Sequence, residues 1–538
     1  MRVADLRARL GQWFAPELYA ASPGGAGPAA GGKRVTMGQA RKYHAAEGGR
    51  LTGGWIASNS SADTELLGAL QRLRGRSRAL VRDAAYAKRA KVIVVNNVVG
   101  GGIGMQAQVK NRRGRLLQDV NEQIEAAWCE WCRAGSCHTG GKLHFADFER
   151  VVMGQVFEAG EVFIRKHVRR FGDSKVPLAL ELIEPERIAE EYIAPTMNDG
   201  REVRMGVEID AFCRPVAYWV RERHPGDLRS SAYATDRLVR VPADQMMHLY
   251  VIDRWPQTRG EPWLHAVARR LNDMDGYSEA EIVAARGAAS YMAFIKTPDS
   301  NPLVPDSQEG ADRHIKLEPG TTEQLPPGWD IVMNNPNRPN PNMDPFMRLM
   351  LREIAAGVGT SYESLSRDYS QSNYSSSRLA LLDDRDLWRV LQGWLLRTLR
   401  HELHREWLRL AVLAQAIPGI SIEEFSDERE KFEAVLFKPR GWHWVDPTKE
   451  VEAYKEAVRC GFTTVSDVIS QTAGGVDVED VIEQRRRELD MMAEKDLQFD
   501  TDPAVTTKPP APAAAPAAVE DDDQPGGARV VPLRSTAT

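Results

Sequence analysis

Long apolar runs are missing from this 538-residue chain. No stretch reaches the roughly 18 consecutive apolar residues that a membrane-spanning helix requires. The first residues, MRVADLRARLGQWFAPELYA, also lack the uninterrupted apolar centre of a secretory signal peptide. We therefore expect a soluble, intracellular protein that does not enter a membrane.

Cysteine is scarce as well. The chain has five cysteines, an odd number, and three of them lie between Cys129 and Cys137. Such a set is typical of reduced thiols rather than of a disulfide framework. The chain also lacks any G-x-x-x-x-G-K-[ST] sequence, which in many enzymes binds the phosphates of a nucleotide. We therefore expect neither nucleotide hydrolysis nor a cofactor.

The chain has no surplus of positive charge either, because its 70 Lys and Arg residues are outnumbered by 75 Asp and Glu residues. Tight binding to nucleic acid without regard to sequence normally needs a cationic surface. One helical pattern, from Thr64 to Ala90, does carry basic residues among its leucines: Arg72, Arg74, Arg76, Arg78, Arg82, Lys88 and Arg89. Such a helix is either a nucleic-acid footprint or a solvated surface, and we favour the solvated surface.

One central stretch predicts a helix, a polar loop and a much longer helix. Apolar residues at helical spacing run from Phe346 to Ala356, and Gly357 suits the left-handed end of a helix. The residues from Ser366 to Ser377 are mostly Ser, Asn, Gln and Tyr, so we expect them to be exposed. Leucines four apart then run from Leu387 to Leu403. At about 1.5 Å per residue, a helix of roughly 40 residues ending near Ala416 spans about 60 Å.

Segments on either side predict a mixed fold. A helix from Phe145 and the strands EVFIRKHV, Leu178–Ile183, Val203–Ile209 and Val216–Val220 indicate an α+β domain. A helix that starts at Pro262 then continues to Phe294.

Prolines replace helical periodicity between Lys296 and Asn342, where we expect a small β-rich region with strands at Ile315–Leu317 and Ile331–Met333. Further helices follow from Thr448 to Arg459 and beyond. The residues after Phe499 are too poor in large apolar side chains to bury a core, so we expect them to be disordered.

Gly102, Gly104 and Ala107 satisfy G-x-G-x-x-A, the fingerprint of a dinucleotide site. That site needs a strand before the glycines and a helix after them. The residues after Gly104 alternate like a strand instead, so we expect a glycine-rich bend.

Two groups of residues could bind a metal ion. The first group is Cys129, Cys132, Cys137 and His138, whose spacing is not that of the usual paired zinc knuckles. The second is His401 and His404, three apart in HELH, whereas a zinc protease needs H-E-x-x-H to bring both imidazoles to one helix face. A metal-dependent enzyme that uses either group stays open as an alternative. We favour a charged helix face for HELH, and expect no metal and no catalytic residues.

The run REIAAGVGTSYESLSRDYSQSNYSSSR resembles the most recognisable block of the lambda-type family of tailed-phage portal proteins. Other blocks match in the same order, among them GEVFIRKHVRR and WVDPTKEVEAYKEAVRCGFTTVSDVI. The resemblance implies an α+β portal fold with an α/β wing, a helical stem, a small β-rich clip, a long kinked helix and an α-helical crown, assembled as a ring. It divides the chain into a flexible N-terminal arm (1–60), wing (61–261), first stem helix (262–295), clip (296–343), second stem helix (344–360), tunnel loop (361–377), long helix returning to the wing (378–445), crown (446–498) and disordered tail (499–538).

The resemblance also implies a function. The ring would be the channel at one capsid vertex through which DNA is packaged and ejected, with no chemistry of its own. The implied DNA-facing tunnel loop consists of Tyr369, Ser370, Gln371, Ser372, Asn373 and Tyr374, and Arg367 and Arg378 flank it as further candidates for DNA contact. A slightly acidic wall suits DNA that must slide, because strongly bound phosphates would stall its movement.

The implied partners are other copies of the chain, in a ring of 12, and double-stranded DNA. Large terminase, the major capsid or scaffold protein and a head-completion (adaptor) protein are implied as well, and a membrane is not. The resemblance places the protein in the virion, at the portal vertex, and in the host cytoplasm during assembly. A head-assembly scaffold without a channel stays open as a further alternative.

Overall fold

The computed structural model describes residues 59–195, 200–227, 237–290, 293–296, 330–333, 340–442, 447–472, 478–495 and 497. The predicted N-terminal arm up to residue 58, most of the predicted clip and the predicted tail lie outside these residues. The predicted strand at Ile315–Leu317 lies outside them as well. The described residues from Ser61 onward belong to one compact unit.

Helices dominate the described part of the chain. They are α1 (Ala62–Leu67), α2 (Leu70–Asp83), α3 (Ala85–Val98), α4 (Gln118–Trp131), α5 (Ala134–Cys137), α6 (Phe145–Ala159), α7 (Ala268–Ser290), α8 (Met343–Val358), α9 (Tyr362–Ser366), α10 (Tyr374–Leu395), α11 (His401–Leu413), α12 (Ile422–Asp427), α13 (Arg429–Phe432), α14 (Pro447–Arg459), α15 (Val465–Thr472) and α16 (Val478–Glu494). A π-helical turn, Leu396–Arg400, joins α10 to α11.

The strands are short. They are β1 (Gly104–Ala107), β2 (Glu161–His167), β3 (Ala179–Ile183), β4 (Glu202–Arg204), β5 (Val207–Ile209), β6 (Pro215–Arg221), β7 (Leu238–Pro242), β8 (Met246–Tyr250), β9 (Ala293–Lys296), β10 (Asp330–Met333) and β11 (Val435–Lys438). The helix α3 before the glycine run and the strand β1 after it reverse the order that a dinucleotide site needs.

Two antiparallel sheets form most of the β structure. In one sheet β2 lies between β3 and β8, with Phe163 opposite both Ile183 and His248. In the other sheet β4, β5, β6 and β7 follow each other in chain order. Separately, β1 pairs with β11 and β9 pairs with β10. Helices and antiparallel sheets confirm the predicted α+β class.

The prediction of one strand from Val203 to Ile209 is wrong, because the chain turns back between β4 and β5. The turn residues Met205 and Gly206 have positive φ angles of 47° and 78°. Position 206 requires glycine, since a Cβ there would lie 2.7 Å from the carbonyl oxygen of Ala189. Strands β7 and β8 were missed, because an arginine and a proline interrupt β7 and β8 has no β-branched residue.

The single helix predicted from Thr64 to Ala90 is three helices, α1, α2 and α3. Ala84 separates α2 from α3 with an extended backbone, at φ −95° and ψ 123°. The expectation of a solvated basic face is wrong for Arg74, which is only 1% exposed and forms an ion pair with Glu190. Arg72 and Arg76 are exposed, as predicted.

A buried ion network joins β2 to the segment before α7. Glu161 and Arg259 are fully buried, and Nη2 of Arg259 lies 2.6 Å from Oε1 of Glu161. His248 Nε2 lies 2.9 Å from Oε2 of the same carboxylate, to which the Gly260 amide also donates. Burial alone raises the pKa of Glu161, but Arg259 and His248 outweigh it and hold this pKa far below its usual value. His248 therefore has a structural role.

Helix α7 packs antiparallel against α8. Arg270 Nε lies 3.0 Å from Glu353 Oε1, and further along the pair the rings of Tyr277 and Phe346 are 5.0 Å apart. Strands β9 and β10 pair beyond the same end of the two helices, and β10 confirms the strand predicted at Ile331–Met333. The order helix, strand, strand, helix agrees with the two helices and the β-rich region between them that the sequence predicted.

Three boundaries of this helix pair differ from the prediction. The helix predicted to continue to Phe294 ends at Ser290, and Phe294 lies in β9. Pro262 precedes a series of turns at residues 263–267, and α7 begins only at Ala268. Leu264 and Val267, in these turns, are buried in the core. Helix α8 continues through Gly357 and ends at Gly359, whose φ of 77° provides the left-handed cap. Gly357 is required by packing instead, since a Cβ there would collide with Cγ1 of Val267.

One continuous helical rod runs from Tyr374 to Leu413 through the π-helical turn. Its length confirms the prediction of roughly 40 residues, and Leu395, Leu399 and Leu403 are fully buried. Leu387, by contrast, is 37% exposed. The long helix was assigned to residues 378–445, but the rod ends at Leu413. The shorter elements α12, α13 and β11 follow it.

The π-helical turn places Arg400 against α6. Arg400 and Glu149 are both buried, and Arg400 Nη2 lies 2.6 Å from Glu149 Oε2. Rings of Phe145 and Phe437 lie against the same guanidinium. The far half of the rod is therefore fixed to the α/β part of the fold by a buried ion pair.

Three helices, α14, α15 and α16, confirm the helices predicted after residue 446. Gly474 and Gly475, a glycine pair typical of a break between helices, lie outside the described residues. Among the described helices, none combines the length and hydropathy that crossing a bilayer demands.

Candidate functional site

The polar loop predicted between the two helices runs from Arg367 to Asn373, between α9 and α10. Tyr369 is 59% exposed, and Tyr374, the first residue of α10, is 58% exposed. Ser370, Gln371 and Asn373 are exposed as well, and Ser372 is half-buried. The predicted exposure is confirmed within the described part of the chain. The sequence did not predict α9, which lies at the start of the predicted tunnel loop, residues 361–377.

Asp368 shapes the beginning of the loop. Its carboxylate accepts hydrogen bonds from the Ser370 amide at 3.0 Å and from the Tyr362 hydroxyl at 2.8 Å. Bonds from Ser370 and Tyr362 lower the pKa of Asp368 to about 2, so the group is ionised at neutral pH. Arg367, with φ of 59°, reverses the chain at the end of α9.

Asn373 determines where the long helix starts. Its Oδ1 accepts a hydrogen bond from the Ser376 amide at 2.8 Å, and the Ser376 hydroxyl accepts one from the Asn373 amide at 3.1 Å. This reciprocal pair is a capping box. Ser372 also has a local role, because its hydroxyl donates to the Tyr369 carbonyl oxygen at 3.1 Å. The side chain of Gln371 has no hydrogen bond to another described residue.

The base of the loop is tied to the long helix by Asp384, which is 3% exposed. The Ser361 amide, the Ser361 hydroxyl and the Ser364 hydroxyl each donate to its carboxylate at 2.7 Å. Sequence patterns did not identify Asp384 as a functional residue. The available signal was an acidic residue on the apolar face of the helix, one turn before Trp388.

The two flanking arginines differ in surroundings. Arg367 is exposed, whereas Arg378 is half-buried and its Nη2 lies 3.6 Å from Oε1 of Glu450 in α14. Arg89 of α3, which the sequence analysis did not connect with the loop, donates to the Ser364 carbonyl oxygen at 3.2 Å. Burial and the nearby charge of Arg367 lower the pKa of Arg89. The base of the loop therefore lies near a second cation that is distant in sequence.

The loop can form hydrogen bonds but offers little for catalysis. Residues 361–378 contain no histidine and no cysteine. Its exposed groups are hydroxyls, the amides of Gln371 and Asn373, two phenol rings and the guanidinium of Arg367. Such groups make weak, exchangeable hydrogen bonds to phosphates and water.

The cysteine group considered as a metal site does not assemble in the described residues. Cys129 is exposed, whereas Cys132 and Cys137 are buried. The Cys137 thiol donates to the carbonyl oxygens of Cys132 and Leu143, at 3.4 and 3.5 Å. Burial raises the pKa of Cys137 to about 12, which disfavours the thiolate that a metal would need.

The HELH group does not assemble a metal site in the described residues either. His404 is 1% exposed and packs among Trp128, Trp407 and Phe437, so the expected charged face is wrong for this residue. Burial, with smaller effects of His401 and Arg400, lowers the pKa of His404 to about 3. The histidine is therefore a neutral core residue.

One group of carboxylates and histidine does converge in the described residues, namely Glu184, Glu186 and His224. A side-chain cation already lies beside it. Arg78 Nη2 is 3.0 Å from Glu186 and 3.7 Å from Glu184.

The fold and the loop define a class of protein: an α+β subunit whose long helix carries an exposed polar tip. Residues 48–392 match the family model described as phage portal protein, lambda family. Because this match covers more than half of the sequence, the chain belongs to the lambda family of phage portal proteins.

Two relatives illustrate the match. The chain is 28% identical over 452 residues to a probable portal protein of Halomonas phage phiHAP-1, covering 82% of this chain and 85% of the relative. It is 23% identical over 474 residues to portal protein B of Escherichia phage lambda, covering 82% of this chain and 87% of the relative.

Two solved structures are also similar to the chain. One is described as the neck of a native GTA particle computed with C12 symmetry, with 15% identity, a TM-score of 0.42, and coverage of 74% of this chain and 93% of that one. The other is the virion of a native gene transfer agent particle, with 16% identity, a TM-score of 0.33, and coverage of 74% and 98%.

Proposed function

We propose that 12 copies of this chain form a ring at one capsid vertex, and that double-stranded DNA enters and leaves the capsid through its central channel. The observation that carries the proposal is the exposed polar tip that Asp384 ties to the long helix. A rod of about 60 Å with a hydrophilic tip suits many copies arranged around an open axis. The tips then face the axis and the far ends of the rods face outward.

The loop residues 369 to 374 are the proposed DNA contacts. Hydroxyl and amide groups bind phosphates weakly and exchange quickly, so DNA can slide without meeting a deep energy minimum. Arg367 adds one cation, but Asp368 beside it is ionised and limits the net positive charge. Arg378 is the weaker of the two flanking candidates, because Glu450 lies close to its guanidinium.

The sequence contains no G-x-x-x-x-G-K-[ST] motif, and in this proposal a separate ATPase, the large terminase, supplies the energy for packaging. Terminase and the head-completion protein would dock on the β-rich region between α7 and α8, and capsid or scaffold protein on the outer part of the ring. Family membership supports these roles, which place the assembled protein in the virion and its free form in the host cytoplasm. No catalytic residue takes part.

Electron microscopy of the purified protein tests the ring. Negative-stain images should contain rings with a central hole. A ring-free particle, or an assembly with a closed centre, would instead indicate a head-assembly scaffold without a channel.

Gln371→Trp tests the loop, because this side chain is exposed and makes no hydrogen bond in the described part of the chain. We expect normal assembly but at least a tenfold loss of packaged DNA, measured as protected DNA per particle. Gln245→Trp, at an exposed position outside the loop, is the matched control. Asn373 is a poor choice, since its replacement also weakens the start of α10. Normal packaging by Gln371→Trp particles would contradict the assignment of the loop.

A further inference from the structure

The long helix has an exposed face next to the loop. Four large apolar residues on it are exposed: Leu379 by 70%, Leu382 by 40%, Leu387 by 37% and Val390 by 65%. At about 100° per residue, they fall in one sector of α10 that also includes Asp383 and Asp386. We call these six residues the α10 face. A contiguous exposed apolar surface of this kind marks a protein contact.

A groove of about 650 Å³ lies between α2 and the start of α7. Leu73 and Leu80 line it from α2, and Leu264 and Ala268 line it from the opposite side. Two exposed arginines stand on its walls, Arg76 on α2 and Arg269 on α7. We call this surface the α2–α7 groove.

The α10 face and the α2–α7 groove are separate surfaces of one subunit. They share no residue, and α3 packs against both α2 and α10 between them. A ring needs such a head-to-tail contact, in which one surface of a subunit meets a different surface of the next.

We infer that the α10 face of one subunit occupies the α2–α7 groove of the next subunit. This inference rests on the proposed ring and names the contact that closes it. The α10 face and the α2 wall have similar lengths, since the helical residues 379–390 and 73–83 advance by eleven and ten residues. A helix of that length covers about 16 Å, so the face can fill the groove from end to end.

Two pairs of opposite charges can also meet in this contact. Asp383 and Asp386 lie among the apolar residues of the α10 face, and Arg76 and Arg269 lie on the two walls of the groove. Two aspartates, Asp83 and Asp275, line the groove as well, and Asp83 is already paired with Arg82. Asp386 is already 2.8 Å from Arg389 of its own helix, at the edge of the face. Asp383 and Arg76 form no ion pair with a described residue. Contact between copies would bring each of these free charges close to one of opposite sign.

Charge reversal tests the contact in the full-length protein. Asp383→Arg with Asp386→Arg, or Arg76→Asp with Arg269→Asp, should each lower the fraction of protein in rings at least tenfold, measured by native mass spectrometry. Combining all four substitutions should restore the rings, because the charges are then exchanged. Asp173→Arg with Asp244→Arg, at exposed sites outside both surfaces, is the control that should leave rings intact.

Cysteine crosslinking provides a second measurement that does not depend on charge. Exposed Cys129 and Cys460 are first replaced by serine. In that background, Leu382→Cys with Leu80→Cys should give a ladder of crosslinked subunits on oxidation, whereas either substitution alone should give none.

The outcomes separate the two proposals. Suppose that the wild type forms rings. If both charge-reversal variants also form rings, or if the combined variant does not restore them, this contact is overturned and the ring stands. If the variant with both introduced cysteines forms rings like the wild type but gives no crosslinked ladder, the contact is overturned as well. A wild type without rings at any concentration would overturn the ring and the contact together.

Discussion

The Ser361 hydroxyl lies 2.7 Å from a carboxylate oxygen of Asp384, so the segment before the loop is bonded directly to the long helix. Asp384 is on the same helix face as Trp388 and Leu391, which are buried in the core. The position of the loop is therefore set by the packing of the rod rather than by the loop residues themselves.

Asp384→Ala should release the base of the loop. Three hydrogen bonds to a buried charge are lost, and we expect a loss of about 2–3 kcal/mol in the free energy of unfolding. Amide hydrogen exchange over residues 361–377 should become faster, while exchange in β2 and α6 should not change. Asp173→Ala, at an exposed site outside the loop and outside both contact surfaces, is the control. Unchanged exchange in the loop would show that Asp384 does not fix it.

Glu161→Gln should destabilise the α/β part of the fold, because Arg259 then remains buried without a counter-charge. Removing one partner of a buried ion pair costs about 3–5 kcal/mol, and we expect a loss in that range in urea unfolding. Glu130→Gln breaks the exposed pair with Lys175 and should cost less than about 1 kcal/mol. Equal effects of the two substitutions would contradict the importance of the buried network.

His404 should make the protein less stable in mild acid. Its pKa is about 3 in the folded protein, mainly because of burial, against an ordinary value of 6.5, so only the unfolded chain binds the proton between these values. Stability is therefore lost as the pH falls below about 6.5, by about 2 kcal/mol at pH 5. Glu161 does not add to the loss of stability between pH 6.5 and pH 5. Its pKa is lowered in the folded protein, so its contribution to the free energy of unfolding is lost only when the pH falls below its ordinary pKa near 4.5.

His404→Leu should remove this pH dependence in part. Neither ring nitrogen of His404 has a hydrogen-bond partner among the described residues, so leucine should also stabilise the protein by about 1 kcal/mol at pH 7. Burial lowers the pKa of His248 too, so some loss between pH 7 and pH 5 should persist in the variant. Melting temperatures at both pH values measure the difference. An equal drop in variant and wild type would exclude His404 as a source.

Periodicity and turn residues predicted the rod, the exposed loop and the helix pair, because each depends on local sequence. Buried charges could not be predicted in this way. Arg74 was expected on a solvated face, yet it pairs with Glu190, which is distant in sequence. Arg89 and Asp384 likewise support the loop through contacts that single-sequence patterns do not encode. Gly357 was read as a helix end, although its role depends on Val267 in the turn just before α7.

Gly357→Ala should separate α8 from α7. The added Cβ would collide with the Val267 side chain, and forcing an extra carbon into a packed contact costs about 1–3 kcal/mol. Gly276→Ala is the matched control on α7, where a Cβ meets no atom within 4 Å. Alanine there should stabilise the helix by about 0.5–1 kcal/mol, because glycine loses more backbone entropy on folding. Urea unfolding of the two variants should therefore give shifts of opposite sign. A destabilising Gly276→Ala in the free subunit would show that helix propensity does not govern α7.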